Sequence, residues 1–173
     1  VYTDRSDELM FLITEAMISG ESAWKIGQEL MKWLKRKGVR EIIAFDGFPF
    51  SQPGANIFGF TTSGKNLQEH DIQPLGQGAI SGVNASLMER TLKDKIPWTT
   101  LFVPTRMAAG IDYDGAITAV KVLNNMFNMG VETEQLEKIS EAISRATRTQ
   151  QSRRQQQKKG GFLDRILPGD QEA

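Results

Sequence analysis

Two short, nearly continuous apolar runs, Glu8-Leu-Met-Phe-Leu-Ile-Thr14 and Glu41-Ile-Ile-Ala-Phe45, flank a stretch whose apolar residues follow helical and not strand periodicity. In that stretch Ser22 can cap a helix carrying Trp24, Ile26, Leu30, Met31, Trp33 and Leu34, and Lys37-Gly38 closes it. Continuous apolar runs of this length are the pattern of strands covered on both faces, so Glu8–Thr14 is expected to lie centrally in a sheet. A strand, a helix and a strand in succession demand a crossover, and repetition of that unit places the chain in the α/β class. The repetition continues. Asn56-Ile-Phe-Gly-Phe-Thr-Thr62 predicts a third strand after a Pro49–Gly54 loop, with a short helix following Ser63. Ala79-Ile80, a helix from about Asn84 to Lys95, a strand over Thr99–Val103, and helices from about Asp114 to Asn128 and from about Glu132 onward complete the alternation. The expectation is an α/β domain with a mostly parallel sheet between helices.

A chain of 173 residues with 39% hydrophobic content suits one domain, expected over 1–144, followed by a basic tail over 145–173. Lysine plus arginine and aspartate plus glutamate both count 21, so no global charge argues for nucleic acid or an anionic membrane as partner. The absence of cysteine excludes disulfides, zinc thiolates and a thiol nucleophile, and fits a cytoplasmic protein. No apolar run approaches the roughly 20 residues of a membrane helix. Because the chain opens on Val1 directly before a polar turn, the first part of the natural protein is expected to precede it. In the tail, Arg145, Arg148, Arg153, Arg154, Lys158 and Lys159 stand among glutamines and serines with no acid, which reads as a solvated helix end or linker. After Gly160-Gly161, residues Phe162, Leu163, Ile166 and Leu167 fall on one side of a helical turn. An apolar stub on a tether suits docking, in cis or on another protein, and these four are the partner-docking candidates.

Chemistry is harder to find. The segment Gly76-Gln-Gly-Ala-Ile-Ser-Gly-Val-Asn84 places three glycines before a helix, where backbone N–H groups can hold phosphate. It lacks the lysine of a Walker loop, and its glycine spacing is not that of a dinucleotide fingerprint. The plainer reading is a strand-to-helix corner in which Gly78 and Gly82 supply close backbone approach or positive φ, with Ser86 and Glu89 spaced as a capping box. Asp112 and Asp114 could share a magnesium ion or could cap the helix that follows. His70, the single histidine, sits in a polar stretch, and Ser81 and Ser86 have no base nearby in sequence. The low-ranking ligand candidates are therefore Gly78, Ser81, Gly82, Asn84, Asp112 and Asp114. No catalytic residue, metal site or cofactor is assigned.

The order of the pieces says more. Ile80-Ser-Gly-Val-Asn84 and its helix, Ile96-Pro-Trp-Thr-Thr-Leu-Phe-Val103, Asp112-Tyr-Asp-Gly-Ala116 opening a helix with Ala119, Val122 and Leu123, and Glu134-Gln-Leu136 together resemble the proteasome assembly chaperone family. Gly38-Val-Arg-Glu-Ile-Ile43 and Asn56–Thr62 extend the resemblance over most of residues 1–145, with archaeal members, some labelled ATP-grasp-related, the most alike. The resemblance implies a three-layer α/β/α fold similar to the phosphorylase/hydrolase-like one, no established catalytic residues, binding to proteasome α-subunits, and homo-oligomers. Two departures stand out. The family often has Asp-Pro where this chain has Asp112-Tyr113-Asp114, and some members end in a hydrophobic residue, tyrosine and one more residue, whereas this chain ends Gln171-Glu172-Ala173. The alternative function is a nucleotide- or nucleoside-binding enzyme of the same fold, using Gly78–Asn84 as an anion site beside Asp112 and Asp114.

Overall fold

The structure, a computed structural model, describes residues 1–14, 16, 18, 20–49, 56–106 and 111–149. The elements run β1 (Tyr2–Thr3), β2 (Met10–Phe11), α1 (Gly20–Arg36), β3 (Ile42–Pro49), β4 (Ile57–Thr61), a 3-10 turn (Leu67–His70), β5 (Ile72–Pro74), α2 (Gly82–Asp94), β6 (Trp98–Thr105) and α3 (Tyr113–Phe127). A further helix, α4, covers 134–149. The chain is α/β, as its alternation predicts: a four-stranded sheet in the order β3-β6-β4-β5 is flanked by helices.

That sheet is mixed, which refines the expectation of mostly parallel strands. β4 runs parallel to β5, with Ile57 opposite Ile72, and antiparallel to β6, with Phe58 opposite Phe102. Alternation of elements records which segments are strands but not their direction. The parallel neighbour β5 was not expected, because Ile72-Gln-Pro74 is three residues ending in proline, too short for any period to register. Ala79-Ile80, expected to be extended, lies in the loop between β5 and α2.

Glu8–Thr14 is also corrected. Only Met10 and Phe11 are a strand, paired antiparallel with Thr3 and Tyr2 in a two-stranded ribbon separate from the main sheet. Leu12 and Ile13 are exposed, so this run is not a central strand among the described residues.

Contacts divide the chain into two compact units, the first Val1–Asp46 with Ile57–Phe102, the second the described residues of Gly47–Asn56 and Val103–Ala173. In the first, the inner stripe of α1 (Met31, Leu34) and Leu87 of α2 close over Ala44 of β3 and Trp98 of β6. Trp98 is fully buried, and its indole N–H donates to Thr100 Oγ1 at 2.7 Å, so the ring enters the core without an orphaned donor. α1 and α2 approach closely at Gly27, where a Cβ would stand 2.5 Å from Ser86 Cβ. Ser86 is fully buried there, donating to the Trp24 carbonyl at 3.0 Å and accepting from Gln28 Nε2 at 3.2 Å. Its expected role in a capping box is therefore overturned: it lies one turn inside α2, and Glu89 pairs with Lys93 instead.

In the second unit α3 ends at Asn128 in the left-handed region, and Asn124 stitches the exit by donating to the Val131 carbonyl at 2.7 Å and accepting from its N–H at 3.0 Å. Lys121 of α3 pairs with Glu137 of α4 at 2.8 Å.

Candidate functional site

The glycine-rich segment resolves into a corner built from two different devices. Leu75 N–H donates to the Gly59 carbonyl at 2.8 Å, prolonging the pairing of β5 before the chain turns. At Gly78 a Cβ would stand 2.6 Å from Leu75 Cδ2, so glycine lets the loop close on its own leucine. Gly82 faces open space but has φ +64°, a left-handed conformation at the first residue of α2. Ser81 occupies the cap position in extended backbone, and its hydroxyl makes no cap hydrogen bond.

Asn84, in the first turn of α2, reaches β3. Its Nδ2 donates to Asp46 Oδ1 at 3.0 Å and to the Phe45 carbonyl at 3.4 Å, tying helix to strand. Asp46 is the functional candidate that sequence reasoning missed. Its Oδ2 is buried with no hydrogen-bond partner among the described residues, although buried polar atoms are as a rule satisfied. Burial pushes the Asp46 carboxyl above the ordinary carboxylate range, with the Asn84 hydrogen bond acting in the opposite sense. The available signal was a lone acid inside the apolar Ile42–Phe48 run. Chemically the corner offers an acceptor with unspent capacity, not a phosphate cradle.

Asp112 takes the capping alternative, whereas Asp114 lies in the first turn of α3 and is held by other partners. Asp112 is the N-cap of α3: Oδ1 accepts from Gly115 N–H at 3.1 Å and Oδ2 from Arg106 N–H at 2.9 Å. Asp114 pairs through Oδ2 with Arg106 Nη2 at 2.7 Å, and its other oxygen accepts from the Ser140 hydroxyl of α4. All four carboxylate oxygens are thus engaged inside the second unit, and a magnesium ion would have to displace Arg106. Among the described residues no group of three or more histidines, aspartates or glutamates could hold a metal ion.

The other candidates scatter. His70 ends the 3-10 turn whose N-cap, Asn66, accepts from Gln68 N–H at 3.2 Å. Gly78, Ser81, Gly82 and Asn84 belong to the first unit and Asp112 and Asp114 to the second. Arg145 pairs with Glu141 along α4 at 2.7 Å. Phe162, Leu163, Ile166 and Leu167 lie outside the described residues. Among the described residues no helix is long and apolar enough to cross a membrane.

A mixed sheet between helices, with glycine corners and capping acids in place of a reactive cluster, defines a three-layer α/β/α protein whose described polar groups mostly hold the fold. The family follows from comparison: the PAC2 family model matches residues 1–151, and the chain belongs to that family. Its fold is similar to a protein of unknown function from Thermoplasma acidophilum, with a TM-score of 0.69 and 22% identity over 91% of this chain and 67% of that one. It is also similar to Pyrococcus furiosus PbaA, an archaeal homolog of proteasome-assembly chaperone, at TM-score 0.68 and 21% identity over 88% and 67% of the two chains. The Mycobacterium tuberculosis proteasome-assembly chaperone homologue Rv2125 matches at TM-score 0.58 and 14% identity over 73% and 56%, so the likeness is not confined to archaea. The chain spans about two thirds of the length of the first two of these solved proteins. No curated protein matches the chain.

Proposed function

We propose that this chain is a non-enzymatic, protein-binding chaperone homologue that assists proteasome assembly by binding α-subunits, acting in the cytoplasm as a homo-oligomer. The observation that carries the reading is membership of the PAC2 family across residues 1–151, with a fold shared with solved proteins described as proteasome-assembly chaperone homologues. The engaged carboxylates of Asp112 and Asp114 support it, since structural roles already account for them. The tail, with Phe162, Leu163, Ile166 and Leu167, is the proposed docking element. Native mass spectrometry of the full chain mixed with proteasome α-subunits tests the reading, alongside a chain ending at residue 144. Association by the full chain alone assigns docking to the tail, association by both assigns it to the α/β portion, and association by neither removes the α-subunit role.

One observation favours a second reading. The unpartnered Asp46 Oδ2 beside Asn84 offers an acceptor to the hydroxyl or amine of a small ligand such as a nucleoside, once the corner opens to admit it. A ligand present at 100 times its dissociation constant stabilises its protein by about 2.7 kcal/mol. A thermal-shift series with ATP, GMP and nucleosides, with and without magnesium, reads that gain directly, and no shift with any of them removes this reading.

A further inference from the structure

The end of the first unit where α1 and α2 both terminate carries charge in excess of its structural needs. The carboxylates there are already neutralised: Lys35 and Arg90 share Asp94 at 3.1 and 3.2 Å, Lys93 holds Glu89, and Lys65 holds Glu41 at 2.6 Å. The Lys35 hydrogen bond keeps the Asp94 carboxyl below its ordinary range. Beyond them, Arg36, Lys37, Arg40 and Lys95 are exposed, and among the described residues none lies within ion-pairing distance of a carboxylate. Lys37 instead sits 5.8 Å from the centre of the Trp33 ring.

These groups form one surface. Ile42 N–H donates to the Pro97 carbonyl at 3.0 Å and Lys35 of α1 pairs with Asp94 of α2 at 3.1 Å, which brings the turn after α1 and the turn after α2 to the same edge. Eight cations there face three carboxylates, an excess of five. Two helix C-termini present about half a negative charge each, roughly one in total, so complementing the helix dipoles leaves most of the excess unexplained. In a chain of zero net charge, this is a concentration of one sign at one end.

We infer that this basic end is an interaction surface for an acidic protein surface. Helix C-termini turn carbonyls outward, so a phosphate would find none of the backbone N–H donors it takes at a helix N-terminus. The one aromatic ring in the cluster, Trp33, packs against the core with Lys37 over it and offers bases no stacking platform. Arginine forks and mobile lysine ammoniums matched to scattered carboxylates supply the long-range attraction by which charged protein surfaces find each other, screened within about 10 Å at 0.1 M salt.

The test uses the full chain and two probes, a fluorescently labelled polyglutamate peptide and a DNA duplex of similar length, in anisotropy titrations at 50 and 200 mM salt. The basic tail is retained in every protein, so the comparison isolates the four unpaired cations. With all four reversed (R36E, K37E, R40E, K95E), affinity for polyglutamate is expected to fall at least tenfold at 50 mM salt, with a smaller salt dependence. Should circular dichroism show that the reversed variant does not fold, the glutamine variant at the same four positions is expected to lose at least threefold. Equal polyglutamate binding by wild type and folded variant, or no binding by either, overturns the inference. So does tighter binding of the DNA than of polyglutamate that depends on the same four residues, which would make the surface one for nucleic acid.

Discussion

Gly82 and Asp46 each hold the α2 corner in a conformation that their neighbours alone would not select. Gly82 is left-handed with open space around its Cα, so the cost of a side chain there is conformational and not steric. Gly82→Ala is expected to lower stability by about 1–2 kcal/mol, read by urea unfolding with an unchanged m-value. Asp46 acts through its charge. Its folded pKa is raised, so between its ordinary value and the folded one the native state binds more protons than the unfolded chain, and stability falls as pH rises through that window. Asp46→Asn removes that dependence. Whatever constant offset the amide brings, the variant's stability relative to wild type should be higher at pH 7 than at pH 4, measured by thermal unfolding at both; the reverse order would show that the buried oxygen is satisfied. At this scale legibility in the sequence is uneven. Asp112 is legible as a cap because capping is local, with Gly115 only three positions away. Asp46 and Ser86 are not, because their surroundings are made by residues 38 and 62 positions away.

The helices α1, α2 and α3 fall within a few residues of their expected bounds, since amphipathic periodicity over a dozen or more residues is a strong local signal. Strands were legible in proportion to their length. β4 and β6 are found where their apolar runs stand, β5 was missed for its brevity, and Glu8–Thr14 was overread because apolar character alone does not say what will cover a strand. How the elements pack rests on contacts no period reveals. Gly27 is such a case: Gly27→Ala drives a methyl into Ser86 between α1 and α2 and should destabilise by about 1–3 kcal/mol. Loss of the α3 cap is milder. Asp112→Ala removes the acceptor for two backbone N–H groups and should cost about 0.5–2 kcal/mol in chemical denaturation, with Arg106 losing one of its anchors to the cap.

At the level of the whole chain, the order of strand, corner and helix identified the family where no single motif did, and PAC2 membership across 1–151 bears that resemblance out. The order was readable because a fold class is fixed by the succession of elements, whereas strand direction and the basic end of α1 and α2 emerge only when separate segments meet. The proposed role works by surfaces, and the two proposed here differ in chemistry: the tail joins a basic run to the apolar Phe162, Leu163, Ile166 and Leu167 in sequence, whereas the other surface is charge carried on helix ends. Their contributions separate by truncation, since a chain ending at residue 144 keeps the second and lacks the first. The most direct test of the central claim is native mass spectrometry of the full chain with proteasome α-subunits. The account predicts a complex of defined stoichiometry between the two, and α-subunits that assemble without ever retaining this chain would contradict it.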